Sequence, residues 1–531
     1  MTAAQTKIIT KLLERRQIEA DLRHMLEANT DLEFRRRAQG IAASGSEVIP
    51  TIIGNLDRAD ARLLTAMGVV TTFLDRQDIV GALRAAILES RLSDQGRVGA
   101  MAILQRFLGE GPDEQLLGSL DDPQGVTLSS LRNVLREAGR DPGVLVQYVE
   151  SLDRQEPDVV LAVARQLLDV AGQAQSKGAG AGQERGGVVE LLRMMAQDVR
   201  GEIAAAAIES LGTLRQPEAA QALQTLLPAV APDLHPVAER LLRKLQFSGV
   251  EVNPLPAPDP DWRTLISPPG GQGQQAVWFL FQQGEAAQVR FLNVLLHDRA
   301  GAVEAVGHPQ VPALMLPPRR SRGYVHDVAL PDASGIMLML EASFDVGRRL
   351  VRDALEDNRE TQIPVAGLLR LRSPWLWGLA GGDELPARQL PKIEIEIEAE
   401  AETGDDFARR SAGLLGHPAF VSWTLRGELL MGAAEEIVRQ PGRNVERSVR
   451  RLAAELFSNS EVAWAFRRRL EAMSEWLLLA GDEAAARVAL RTARGLTPRP
   501  AEQPFVQALV RRDLGLILKS LENTWGTPGD G

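Results

Sequence analysis

The sequence reads as a mainly α protein in three parts: an N-terminal array of helical pairs, a central α/β (α+β) module and a C-terminal helical domain. Three observations carry this reading. Apolar residues recur at helical spacing across both ends of the chain. Prolines 254, 256, 258 and 260 alternate in NPLPAPDPDW, which favours extended chain and excludes helix. Aromatic residues are unevenly placed, since all eight tryptophans lie at or after Trp262. The expected boundaries are 1–250 for the array, 251–261 for a Pro-rich linker, 262–403 for the module and 404–525 for the last helical domain.

The clearest helical pair is VRGEIAAAAIESLGTLRQPEAAQALQTLL, Val199 to Leu227. Ile203, Ala207, Ile208, Leu211 and Leu214 fall on one face, and Gly212 with the Arg-Gln-Pro turn is expected to break the helix. Pro217 suits the first turn of the next helix, where its missing N–H is not needed. Ala219, Leu223, Leu226 and Leu227 form the second stripe. Small residues at the heart of each first helix are Ala38, Ala66, Ala100, Ala162, Ala206 and Ala238, so units recur roughly every 28–44 residues apart from one degenerate unit between Ala100 and Ala162. One pair cannot bury its apolar faces alone, so neighbours stack into a continuous core. Small alanines let helices approach closely, which accounts for the missing tryptophans.

This unit resembles a HEAT repeat of the short type found in the phycobilin-lyase repeat family. The Val-Arg opening, Ala-rich first helix, Leu-Gly stop and Pro-Glu-Ala-Ala start carry the likeness, and Asp31–Leu56, Ala59–Leu88 and Asp94–Leu120 fit it more loosely. The resemblance implies a HEAT-like α-solenoid over the N-terminal half. Bilin lyases with such repeats attach chromophores to cysteines of partner proteins, but the repeat specifies a fold far better than a function. Within the array, QAQSKGAGAGQERGG (173–187) follows a helix rather than a strand, so it reads as an inter-helix loop and not a dinucleotide loop.

After the prolines the texture changes. QQAVWFLFQQ (274–283), the turn-like GEAA and VRFLNVLLHD (289–298) read as a hairpin, and GIMLMLEASF as another strand. Asp345 to Asp357 reads as a helix with Val346, Leu350, Val351, Ala354 and Leu355 inward and Arg348, Arg349, Arg352, Asp353 and Glu356 outward. KIEIEIEAEAE (392–402) alternates as a strand with one wet glutamate face, which discourages edge pairing. The C-terminal part, Asp405 to Leu521, shows six helical segments, among them FVSWTLRGELLMGAAEEIV. SEWLLLAGDEAAARVALRTARGL resembles a helical hairpin of the tetratricopeptide sort, with Gly481 at the turn. Trp423, Trp464 and Trp476 are expected in the core.

Composition excludes several classes. With no cysteine there is no disulfide, thiolate metal site or cysteine nucleophile. Charge is even: residues 1–254 hold 34 acids and 28 Lys+Arg, the remainder 36 and 32, so neither half is a basic nucleic-acid module. The start of the chain lacks the apolar stretch of a signal peptide and nothing approaches a membrane span, so the expectation is a cytoplasmic protein with no membrane partner.

No phosphate loop, HExxH, GxSxG or EF-hand pattern occurs. None of the six histidines pairs at i,i+3 or i,i+4; in Gly-His-Pro at 416–418, Gly416 is expected to cap a helix in the left-handed conformation. No metal, cofactor or catalytic residue is assigned. The densest candidate is PPRRSRGYVHD, where Arg319, Arg320, Arg322, Tyr324 and His326, with Asp327 beside them, combine groups that bind phosphate or carboxylate. A solvated basic loop is the competing reading. The role expected is a non-enzymatic helical-repeat scaffold or adaptor for a protein partner. The alternative is a central module that is a ligand-binding or enzymatic unit, with a bilin-lyase-like role and DNA binding ranked behind both.

Overall fold

The computed structural model describes residues 15–28, 31–89, 92–111, 116, 118–119, 123–174, 181–282, 287–329, 335–382, 384–391, 404–425, 427–439, 444–496 and 499–525. The protein is mainly helical, with a six-stranded antiparallel sheet in the middle of the chain. It divides into two compact units, one of residues 1–148 and 165–188, the other of residues 149–164 and 189–531.

In the first unit, α1 (Asp31–Ala42), α2 (Val48–Asn55), α3 (Ala61–Thr71), α4 (Arg76–Leu88), α5 (Asp94–Leu108) and α6 (Pro123–Ala138) follow one another. Side-chain oxygens start several of them by accepting otherwise unpaired N–H groups. Asp60 takes the N–H of Leu63 at 2.8 Å, Asp75 those of Gln77 and Asp78, and Ser93 that of Gly96. Leu22, Met25, Ala38, Ile52, Ala66, Met67, Leu83 and Ala100 share one apolar core, so the expected alanines at 38, 66 and 100 are buried.

The unit boundaries fall inside α7 (Gly143–Leu152), α8 (Pro157–Ala174) and α9 (Ala181–Met195). The glycine-rich stretch expected to be a loop is therefore partly helix. Residues 181–187 are helical because Gly187 packs against Leu135 and Glu184 lies 3.6 Å from Arg136. Residues 175–180 lie outside the described residues.

The second unit contains α10 (Gly201–Thr213), α11 (Pro217–Leu226) and α12 (His235–Phe247), which pack on one another. Pro217 opens α11 as expected, and the stripe from Ile203 to Leu214 is buried. The helix ends at Thr213, as expected from Gly212 and the Arg-Gln-Pro turn; Gly212 is also a point of close helix approach, since a Cβ there would lie 2.5 Å from Leu241. Ala238 is buried, while Ala162 and Ala206 are half-buried.

The sheet strands are β1 (Trp262–Ile266), β2 (Gln274–Phe281), β3 (Gln288–His297), β4 (Gly301–Pro312), β5 (Val325–Ala329) and β6 (Ile336–Ala342), in the order β4-β3-β2-β1-β6-β5. The expected β2–β3 pairing is present, with Val277 opposite Val294; residues 284–286 of its GEAA turn lie outside the described residues. β1 occupies the interior and is buried along its length. One face receives α13 (Phe344–Thr361), whose Gly347 comes so close that a Cβ would meet Thr264 and Phe279 at 2.6 and 2.7 Å. The other face holds Leu265, Leu280, Val289 and Met339. β4 and β5 are not expected from sequence, because GAVEAVGHPQVP and VHDVA lack a clean apolar alternation.

Arg348 and Arg349 of α13 do not face solvent. They are only 1% and 2% exposed. Arg348 donates to Asp345 at 2.6 Å and to the carbonyls of Leu379 and Ala380; Arg349 donates to Asp353 and to buried Glu475 at 2.8 Å. The guanidinium's several donors let it satisfy backbone carbonyls and carboxylates at once, which allows a charge to be buried.

After α14 (Gly367–Arg372) and α15 (Pro374–Trp377), residues 392–403, including KIEIEIEAEAE, lie outside the described residues. The chain continues through α16 (Gly404–Gly413), α17 (Glu428–Arg439), α18 (Val445–Leu456), α19 (Ser460–Leu479), α20 (Glu483–Gly495) and α21 (Pro504–Trp525). α19 and α20 form the expected hairpin, with Gly481 at a φ of 84°. Helix does not extend over 421–425, because that stretch is held by distant groups. Trp423 Nε1 donates to the Pro269 carbonyl at 2.9 Å, and the N–H of Leu425 donates to Asp513. Gly416 is not left-handed; the His417 ring instead accepts the N–H of Ala419 at 3.1 Å. Trp423 and Trp476 are buried, as expected, but Trp464 is 54% exposed.

Candidate functional site

Strand alternation assembles a buried polar cluster at one end of the sheet. Leu265 of β1 lies opposite Glu341 of β6, and His326 of β5 opposite Met339, so Arg263, Glu341 and His326 share a face. Glu341, 3% exposed, accepts from Arg263 at 2.7 Å and lies 3.0 Å from His326 Nε2. Arg263 also donates to the carbonyls of Pro317 and Pro318 at 2.9 and 3.3 Å, tying the arginine-bearing loop to the sheet.

Above this cluster lies a cavity of about 190 Å³ lined by Arg263, Arg319, Arg320, Arg322 and Glu341 and by the start of α13, Ser343 to Asp345. The structure thus brings together three of the five residues singled out in the sequence. Arg319 is oriented by Asp261 at 3.3 Å and by the Pro260 carbonyl at 2.6 Å. Arg320 stands over the Tyr324 ring at 5.6 Å. Tyr324 and His326 do not line the cavity: Tyr324 packs edge-on against His326 at 4.8 Å, and His326 is buried on Glu341. Asp327 occupies an exposed position of β5. Arg263, Glu341 and Ser343 were not legible as site residues, because only strand pairing across the sheet brings them together. The one available signal was a charged residue at an inward position of an apolar strand, as in MLMLEA.

A second concavity, of about 790 Å³, surrounds the exposed Trp464 on α19. Phe457, Ala463, Thr361 and Pro500 contribute to its walls. Arg468 lies over the Trp464 ring at 4.8 Å and donates to both oxygens of Asp357 at 3.1 and 3.3 Å. Burial pushes the Asp357 carboxyl above its ordinary value, with Arg468 pulling the other way. Asp298, Glu360 and Glu461 add negative charge to the lining, against Arg299 and Arg468. Sequence reasoning placed Trp464 in the core because ring size alone favours burial; its neighbours Arg467 and Arg468 were the signal of a solvent-facing stripe.

Among the described residues no group of three or more His, Asp or Glu side chains is arranged to hold a metal ion, and no helix is long and apolar enough to cross a membrane. No family model matches the chain, and neither does any curated protein or solved structure.

Proposed function

We propose that this protein is a non-enzymatic helical-repeat scaffold or adaptor that binds a protein partner, and that the groove around Trp464 is where the partner docks. The observation that carries this reading is the half-exposed indole in the wall of a concavity of about 790 Å³. Large rings exposed in a concave, largely apolar setting are costly to leave in water and are favoured anchors of protein interfaces. The acidic lining suits an extended partner segment that carries an apolar residue flanked by Lys or Arg.

The test is quantitative affinity capture with the intact wild-type chain and with Trp464→Ser. A protein retained stoichiometrically by the wild type and lost by the variant supports the reading. Identical captured sets overturn it. A charge reversal, Glu360→Arg with Glu461→Arg, is expected to weaken the same interaction.

A second reading is that the central module binds a small ligand. It is favoured by the convergence of Arg319, Arg320 and Arg322 on one cavity floored by Arg263.

A further inference from the structure

We propose that the arginine-lined cavity binds the phosphate group of a small phosphomonoester. The proposal rests on the ligand-binding reading of the central module and names the chemistry of the ligand. Four guanidinium groups line the cavity, against three carboxylates, those of Asp259, Glu341 and Asp345. Each carboxylate is already engaged. Asp259 accepts the N–H of Asp261 at 2.8 Å, Glu341 is held by Arg263, and Asp345 by Arg348 at 2.6 Å.

The guanidinium groups, by contrast, are not all used. Arg319 is held by Asp261, but Arg320 and Arg322 have no carboxylate partner among the described residues. Arg263 is only 9% exposed and is committed to Glu341 and to the Pro317 and Pro318 carbonyls, so it fixes the loop that carries Arg320 and Arg322 and leaves those two free to meet a ligand.

The backbone adds to this. Ser343 to Asp345 line the cavity at the start of the 18-residue α13. The first N–H groups of a helix lack intrahelical acceptors, and Ser343 Oγ takes only that of Val346, at 3.3 Å. The helix thus presents its positive end to the same space as the guanidinium groups.

Donors approaching from a loop and from a helix start suit a tetrahedral dianion with three terminal oxygens better than a planar carboxylate, whose two oxygens one guanidinium can take in a single plane. A cavity of about 190 Å³ is below the size of drug-like sites, which limits the ligand to a phosphate with a short organic group.

Calorimetric titration of the intact protein with inorganic phosphate, glycerol phosphate and malonate tests this, alongside the Arg320→Ala, Arg322→Ala double variant. Both side chains are exposed, so the variant is expected to keep the wild-type circular dichroism spectrum and melting profile. Glycerol phosphate is expected to bind the wild type, and the double variant to bind it about tenfold to a hundredfold more weakly, from the loss of charge-assisted hydrogen bonds. Equal affinity in wild type and variant overturns the site. Malonate binding without phosphate binding overturns the phosphate assignment while sparing the ligand-binding reading. Binding of none of the three overturns the anion site. A phosphoserine peptide that competes better than glycerol phosphate overturns the small-molecule assignment.

Discussion

The two compact units solve the burial problem with different residues. The first, built from residues 1–148 and 165–188, packs aliphatic side chains, methionine and alanine, and side-chain oxygens of Asp60, Asp75 and Ser93 start its helices. The second packs an aromatic group in which Trp423 lies 5.1 to 5.8 Å from Phe420, Phe466 and Phe505. It also buries arginines whose partners are far away in sequence: Arg370 on Asp153, Arg349 on Glu475 and Arg469 on Asp298. Local order suffices where helices stack on sequence neighbours. Where a sheet must be joined to helices from distant parts of the chain, large rings fill the uneven space and guanidinium groups cross-link the segments.

This contrast can be broken experimentally. The largest effect is expected for Trp423→Ala, which removes a fully buried ring and leaves the Pro269 carbonyl without its donor. A loss of about 4–5 kcal/mol in urea unfolding is expected, at the upper end for such truncations; a loss below about 1 kcal/mol would remove the aromatic core from the account. Arg370→Ala should follow, at about 3–4 kcal/mol, because it leaves the Asp153 carboxylate buried without its cation. Burial already pushes the Asp153 carboxyl above its ordinary value, so Asp153→Asn is expected to cost less than Arg370→Ala. Equal costs would show that the cross-link acts through its hydrogen bonds alone.

In the first unit the informative change runs the other way. Ala66 has no exposed surface, and Ala66→Leu should destabilise by about 1–3 kcal/mol through overpacking. A neutral result would show that the alanines are not points of close approach. The smallest effect concerns Tyr148, whose hydroxyl burial pushes up to about 12. Below pH 10 both folded and unfolded chains hold the proton. Between pH 10 and about 12 only the folded chain does, so stability falls as pH rises through that window. Unfolding measured from pH 9 to 12 should show a steeper fall in the wild type than in Tyr148→Phe.

Much of the helical framework was legible because helix signals are local. The stripe from Ile203 to Leu214, the Pro217 start and the hairpin around Gly481 all depend on residues within a few turns of one another. Errors arose where a distant partner outweighed the local pattern. Arg348 and Arg349 look like a polar face until Ala380 and Glu475 arrive from elsewhere. The candidate site divides along the same line. Arg319, Arg320 and Arg322 stood out because they are close neighbours in sequence, whereas Arg263 and Ser343 joined them only through strand pairing and a helix start.

By itself, the sequence determined that the protein is mainly helical with a sheet in the middle, where the tryptophans begin, and which arginines cluster in the central module. Periodicity, proline placement and composition are read over short windows, and short windows are what secondary structure obeys. Only the tertiary structure decided which charges are buried, which tryptophan faces solvent and what stands around the arginines. Those outcomes depend on which distant groups meet, and a buried charge or an open indole is set by its neighbours in space.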